Sequence, residues 1–248
     1  MVDKVTACIV IIGNEILSGR TQDSNLNFLA TELNKLGIQV GEARVIPDIE
    51  TVIIDTINYA RNTYDYVFTT GGIGPTHDDI TSACVAKALG YDFARNPEAV
   101  AMLESHYKPE DLNEARLRMA DTPVGAILIE NPISKAPGFQ IENVFVLAGV
   151  PRIAQALFDN LKNRLTGGIT VLSKTVSTDL GEGIIADPLA SLQEKFPHID
   201  MGSYPYFKDG RLGVSMVLRH HDETSLQECE QALKEMVETL GGNIIFSL

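Results

Sequence analysis

The stretch 68–81, FTTGGIGPTHDDIT, sets three glycines just ahead of two adjacent carboxylates. Gly71, Gly72 and Gly74 let a ligand approach the main chain, and free N–H groups at a turn suit phosphate. Asp78 and Asp79 repel phosphate. A divalent cation reconciles the two, because Mg²⁺ takes one or two carboxylates together with substrate phosphate oxygens. The pattern therefore points to a pyrophosphate-type ligand and to Mg²⁺, Mn²⁺ or Co²⁺. In that reading Asp78 or Asp79 holds the metal and the glycine amides hold the phosphate. Thr76 adds a hydroxyl, and Thr76-x-x-Asp79 reads as a capping box opening a helix over 78–89. In the plainer account the aspartates only stabilise that helix start and the glycines only turn the chain.

Further polar residues follow other apolar segments. Asn14 and Glu15 come directly after the first, and Asp48 after the second. Glu15 or Asp48 is a candidate general base or ligand of a second metal. Lys135, in NPISKAPGF, is the obvious counter-charge for phosphate. Gly149, in AGVP, can bring backbone close to a ligand. The loop is not a Walker motif, which needs a lysine after its last glycine. Gly13-Asn14-Glu15 is not a dinucleotide fingerprint. His220 and His221 have no third ligand at metal spacing and read as surface residues.

The elements that must position these groups alternate. Residues 5–12 form an apolar run expected of a strand covered on both faces. Leu26, Leu29, Leu33 and Leu36 then mark one face of a helix. Strand 39–46 is more polar, as near a sheet edge. A helix over 49–62, a strand over 66–70 and the helix after the glycine loop follow. Residues 96–120 read as short helices broken at Pro109. Further strands are expected over 126–129, 139–141 and 144–147, and Pro151 opens a helix. This order predicts an α/β fold with a mostly parallel sheet and helices on both faces. Its ligands belong at the carboxyl ends of the strands, where GNE, GGIGPTHDD and AGVP all fall. After Thr166-Gly167-Gly168 the rhythm becomes β-α-β-β-α-β, with a KDG turn at 208–210 joining the middle strands. That is the ferredoxin-like order of a small α+β domain. The expected domains are 1–166 and 167–248.

Composition narrows the partners. The chain has 248 residues and a formal net charge of −13, with 20 Lys and Arg against 33 Asp and Glu. No basic cluster offers a nucleic-acid or anionic-membrane surface, and no apolar run is long enough to span a bilayer. Three widely spaced cysteines suggest buried free thiols and a reducing cytoplasm. The N-terminal run reads as a strand rather than a signal peptide.

TTGGIGPTHDDIT resembles the signature of the molybdopterin-binding (molybdenum cofactor biosynthesis) domain family. IGNEILSGRTQDSN, GGIGPTHDD, NPISKAPGF, AGVP and MGSYPYF occur in that order in one branch. That branch comprises the N-terminal half of competence/damage-inducible protein A and the molybdopterin-binding-like domain of FAD synthase. The resemblance implies a three-layer α/β/α sandwich that binds molybdopterin or a nucleotide-like ligand at its strand ends. It also implies metal-dependent cleavage of nucleotide pyrophosphates such as ADP-ribose or FAD, and a homo-oligomer. By motif, Asp78 and Asp79 are the acidic pair, Asp48 lies in the other ligand-facing loop, and Asn14 and Glu15 match the GNE element. A binding protein without chemistry, or an adenylyl transferase acting on molybdopterin, would use the same residues. No counterpart of the amidase or adenylyl-transfer domains of those longer proteins is expected here.

Overall fold

The computed structural model describes residues 4–208 and 210–247; residues 1–3 of the N-terminal run and the centre of the KDG turn, Asp209, lie outside the described residues. The chain divides into two compact units, 1–168 and 169–248.

The first unit is built on a six-stranded sheet. Strand β1 (Val5–Ile12) leads through a short helix α1 (Asn14–Leu17) and helix α2 (Asn25–Lys35) to β2 (Ile38–Ile46). Helix α3 (Glu50–Thr63), β3 (Tyr66–Thr70) and α4 (Thr81–Leu89) follow. Between α4 and the rest of the sheet come β4 (Phe93–Arg95), α5 (Pro97–Glu104), α6 (Glu114–Leu117) and β5 (Asp121–Pro123). The short strands β4 and β5 pair with each other as a separate ribbon. Strands β6 (Ile127–Ile129), β7 (Gly138–Ile141) and β8 (Val144–Leu147) precede helix α7 (Pro151–Leu161). The sheet order is β2-β1-β3-β8-β7-β6. The first four strands are parallel, and β6 and β7 are antiparallel additions.

Side-chain alternation explains why β1 is apolar throughout. Cys8, Val10 and Ile12 face one side, with Ile53 and Ile57 of α3, Val85 of α4 and Leu103 of α5. Ala7, Ile9 and Ile11 face the other, with Leu29 and Leu33 of α2 and Leu157 and Phe158 of α7. A period of two on a strand sends successive residues to opposite layers, so a central strand needs apolar residues at both. Each fully buried Ile or Leu stabilises by about 1.5–3 kcal/mol. Phe68 and Phe145 stack at 5.1 Å in the second layer, adding a specific aromatic contact between adjacent strands. The result is a three-layer α/β/α sandwich, and the more polar β2 is one of its two edge strands.

The second unit contains β9 (Leu172–Thr178), α8 (Glu182–Lys195), β10 (Asp200–Lys208), β11 (Arg211–His220), α9 (Glu223–Thr239) and β12 (Ile244–Ser247). Its sheet is antiparallel in the order β10-β11-β9-β12. Val214, Met216 and Leu218 of β11 point to one face, where they pack with Ile185 of α8 and Leu226 and Leu233 of α9. This is the ferredoxin-like arrangement expected of the β-α-β-β-α-β order.

Candidate functional site

The chain leaves β1 for β2 on one side and returns to β3 on the other. Such a reversal opens a crevice at the carboxyl ends of the flanking strands. A cleft of about 600 Å³ lies there, within the range of small-molecule sites. Gly71, Gly72 and Gly74 line it with Asp78 and Asp79, and so do Glu15, Asp48 and Gly149. Sequence segments far apart are thus brought together at one crevice. Asn14, Thr76 and Lys135 are not among the residues that line it.

Two of the glycines are demanded by packing. Gly71 has φ 104°, and a Cβ there would overlap the carbonyl oxygen of Ile12 at the end of β1. Its N–H already donates to Leu147 O at 3.2 Å, so it is spent on the sheet and not free for phosphate. Gly72 has φ 68°, and a Cβ there would collide with the Thr81 hydroxyl. Among the described residues the N–H groups of Gly72 and Gly74 have no protein acceptor.

The two aspartates sit differently from the sequence expectation. Helix α4 starts at Thr81, not at 78, and its N-cap is Ile80, with no side-chain cap. Thr76 and Asp79 form a separate turn ahead of the helix, because Asp79 captures Thr76 instead of capping α4. Thr76 donates its N–H to Asp79 Oδ2 at 2.8 Å. Its Oγ1 lies 2.6 Å from Asp79 Oδ2 and also 2.6 Å from Asp78 Oδ1. A hydroxyl has one hydrogen, so two carboxylates share a single donated proton. The Thr76 hydroxyl, followed by backbone and the nearby His77, holds the Asp78 carboxyl below the usual carboxylate range. The first amide of α4, Thr81 N–H, is tied to Gly72 O at 2.9 Å and does not face a ligand.

On the opposite loops, Asp48 Oδ2 accepts from the Asn14 N–H at 2.9 Å. This bond, from the Asn14 backbone, clamps the loop after β2 to the loop after β1, and Asp48 still lines the cleft. The Glu15 carboxylate folds back over Gly13, where a Cβ would come within 2.5 Å of it.

Lys135 does not line the cleft. It takes φ 59° and pairs with Glu130 at 2.8 Å. The buried Asn131 shapes that loop by donating to Ser134 Oγ at 2.7 Å and Ala136 O at 2.9 Å. The guanidinium lining the cleft is that of Arg116, from α6. It lies 4.5 Å from the centre of the Tyr107 ring and donates to the Asp111 carbonyl. Sequence reasoning missed Arg116 and Tyr107; the signal was their place in the polar, broken-helix segment after the glycine loop. The lining holds the carboxylates Glu15, Asp48, Asp78 and Asp79 against this single cation. A cleft so acidic attracts cations.

Among the described residues, no group of three or more His, Cys, Asp or Glu could hold a metal ion by itself, and no helix is long and apolar enough to cross a membrane. Cys8, Cys84 and Cys229 are buried free thiols.

Comparison with known proteins bears on this arrangement. Residues 8–167 match a family described as a probable molybdopterin binding domain. The chain belongs to the molybdopterin-binding domain family. Residues 170–241 match the middle domain of FAD synthase, in line with the branch read from MGSYPYF. A protein of Pyrobaculum calidifontis is 34% identical to this molybdopterin-binding family member over 95% of either chain. A probable FAD synthase of Caenorhabditis elegans is 30% identical over 99% of this chain, which spans 52% of that relative's length. The crystal structure of the protein CinA, of unknown function, from Thermoplasma acidophilum is 35% identical with a TM-score of 0.62. The match covers 65% of this chain and 99% of that one.

Proposed function

We propose that this molybdopterin-binding family member hydrolyses a nucleotide pyrophosphate, such as ADP-ribose or FAD, in the cleft at the β1/β3 reversal. One observation carries the reading: Asp78 Oδ1 and Asp79 Oδ2 converge on one hydroxyl, each 2.6 Å from Thr76 Oγ1, at the wall of an acidic cleft. Two neighbouring carboxylates at the wall of an acidic cleft suit a bound cation. The donor set fits one that relies on its substrate. Two adjacent carboxylates, one with its pKa held low, match the one or two that Mg²⁺ takes when phosphate oxygens complete its shell. Among the described residues no cluster of three or more His, Cys, Asp or Glu forms there, which argues against a cage made of such side chains alone.

Asp78 and Asp79 would hold the ion, which supplies charge that polarises a phosphoryl oxygen and eases deprotonation of water. The chain's own groups do the rest. The free N–H groups of Gly72 and Gly74 and the guanidinium of Arg116 bind and orient phosphate oxygens. Glu15 accepts a proton from the attacking water, and Asp48 fixes the loop that carries Glu15. Molybdopterin, a pterin with a phosphate, is a second candidate ligand of the same surface. The test is product formation from ADP-ribose and FAD with and without Mg²⁺, Mn²⁺ and Co²⁺. Cleavage only with a cation is expected; an Asp79→Asn variant with full turnover overturns the assignment.

A binding role without chemistry has one observation in its favour. Asp79 Oδ2 is engaged twice by Thr76, which suits a loop-holding carboxylate. Saturable binding with no turnover under any of the three metals would select that reading.

A further inference from the structure

A second recess, of about 310 Å³, adjoins the glycine loop. It shares Ile73, Gly74 and Asp79 with the cleft. Gly74 has no side chain, so at that point a single thickness of backbone separates the two spaces. A Cβ on Gly74 would come within 2.6 Å of Asp79 Oδ2, which puts that carboxylate against the same backbone. One of the two proposed metal ligands therefore stands at the divide, and a pyrophosphate held there has space on either side.

The wall of the recess mixes donors, acceptors and an apolar surface. Arg118 lines it, is exposed, and among the described residues makes no ion pair. Its Nη2 donates to the Pro75 carbonyl at 2.8 Å, which fixes the guanidinium to the glycine loop with other N–H groups uncommitted. Asp121 accepts from Arg95 Nε at 2.8 Å, and a carboxylate has about four acceptor sites. Ser82 adds a hydroxyl that donates or accepts. Phe93 also lines the recess and is 42% exposed, an uncovered apolar surface beside these polar groups. We infer that the recess seats the polyol arm of a two-armed pyrophosphate, such as the distal ribose of ADP-ribose, while the nucleoside arm takes the larger cleft. A polyol matches this wall because each hydroxyl both donates and accepts, and its carbons are apolar. A further phosphate matches it less well, because Asp79 and Asp121 line the same recess and repel it. The cleft, at about 600 Å³ and lined by Ile12, Met119 and Pro151, offers the base more room and more apolar surface.

This inference rests on the nucleotide-pyrophosphate reading of the cleft. The test compares methylene-bridged, non-hydrolysable analogues of ADP-ribose and ADP, which share one arm and the phosphates and differ in the second arm. Binding to the full chain is measured by calorimetry with Mg²⁺. Ala83 is exposed on α4 and lines the recess but not the cleft, so Ala83→Phe fills the one and spares the other. Ala83→Phe is expected to weaken the ADP-ribose analogue on the order of tenfold, as the loss of two or three hydrogen bonds does, and the ADP analogue by less than about twofold. Unchanged ADP-analogue binding also reports a folded cleft. Should Ala83→Phe fail to fold, Phe93→Ala removes an exposed ring without adding bulk, and a loss of about threefold for the ADP-ribose analogue alone is expected. A variant that weakens both analogues alike, or neither, overturns the inference and leaves the cleft reading intact. Failure of both analogues to bind the wild-type chain overturns both.

Discussion

Thr76 binds one oxygen of Asp79 twice, through its N–H at 2.8 Å and its hydroxyl at 2.6 Å. The same hydroxyl reaches Asp78, and the three residues form a unit that sets the charge of the cleft wall. Thr76→Val keeps the shape of the side chain and removes that hydroxyl. The Asp78 pKa should then rise toward its ordinary 3.8, as read by carboxyl NMR titration. The sign for stability follows from linkage. A carboxyl whose folded pKa is depressed stabilises above its unfolded pKa and loses that contribution as pH falls through the folded value. Wild type should therefore lose part of its stability below about pH 4, and Thr76→Val should show a smaller loss in that window.

Arg116 and Lys135 separate structure from first appearance. Arg116→Ala should weaken binding of a pyrophosphate ligand about tenfold, as the loss of one charge-assisted hydrogen bond does. Arg116→Lys should recover only part of it, because lysine cannot repeat the planar contact with Tyr107. Lys135→Ala should leave affinity within about twofold, since Lys135 is paired with Glu130 on the surface. Calorimetric titration of the three variants checks all three outcomes.

The contrast between these two residues marks how far the sequence could be read. The apolar run of β1, the polar edge strand β2 and the ferredoxin-like order each carry a periodic signal, and the fold followed from them. The glycine and aspartate residues were legible because their types are unusual together and they follow an apolar strand. Arg116 and Tyr107 were not, because α6, which carries Arg116, has only four residues and no period, Tyr107 lies in the segment after α5, and tertiary contacts alone bring both to the cleft. Lys135 advertises charge, but its reach is set by an Asn131-shaped loop and a Glu five residues away. The start of α4 was misplaced because an Asp in a turn and an Asp in a first helical turn look alike; the Thr76 bonds decide between them. The β4/β5 ribbon left no trace, since the three residues of β4 are all exposed and show no alternation.

Gly71 tests the packing of the site without touching its charges. Gly71→Ala adds a Cβ against the Ile12 carbonyl at φ 104°. A loss of roughly 1–3 kcal/mol in denaturant unfolding is expected. An unchanged midpoint would contradict the close approach of β1 and the glycine loop.

The three thiols should be inert in the native protein. Burial pushes Cys8, Cys84 and Cys229 each up to about 11, so little thiolate exists near neutral pH. A disulfide-exchange reagent at about pH 8 should label none of them rapidly and should label all three in denaturant. Rapid labelling of one in the folded chain would contradict its burial.

In the proposed site a cation joins Asp78 and Asp79 to a pyrophosphate. Anomalous diffraction from crystals soaked with Mn²⁺ and a non-hydrolysable ADP-ribose analogue tests it most directly. One Mn²⁺ in contact with an Asp78 or Asp79 carboxylate and a phosphate oxygen of the analogue is the expected result. An analogue bound in the cleft with no Mn²⁺ at either aspartate would contradict it.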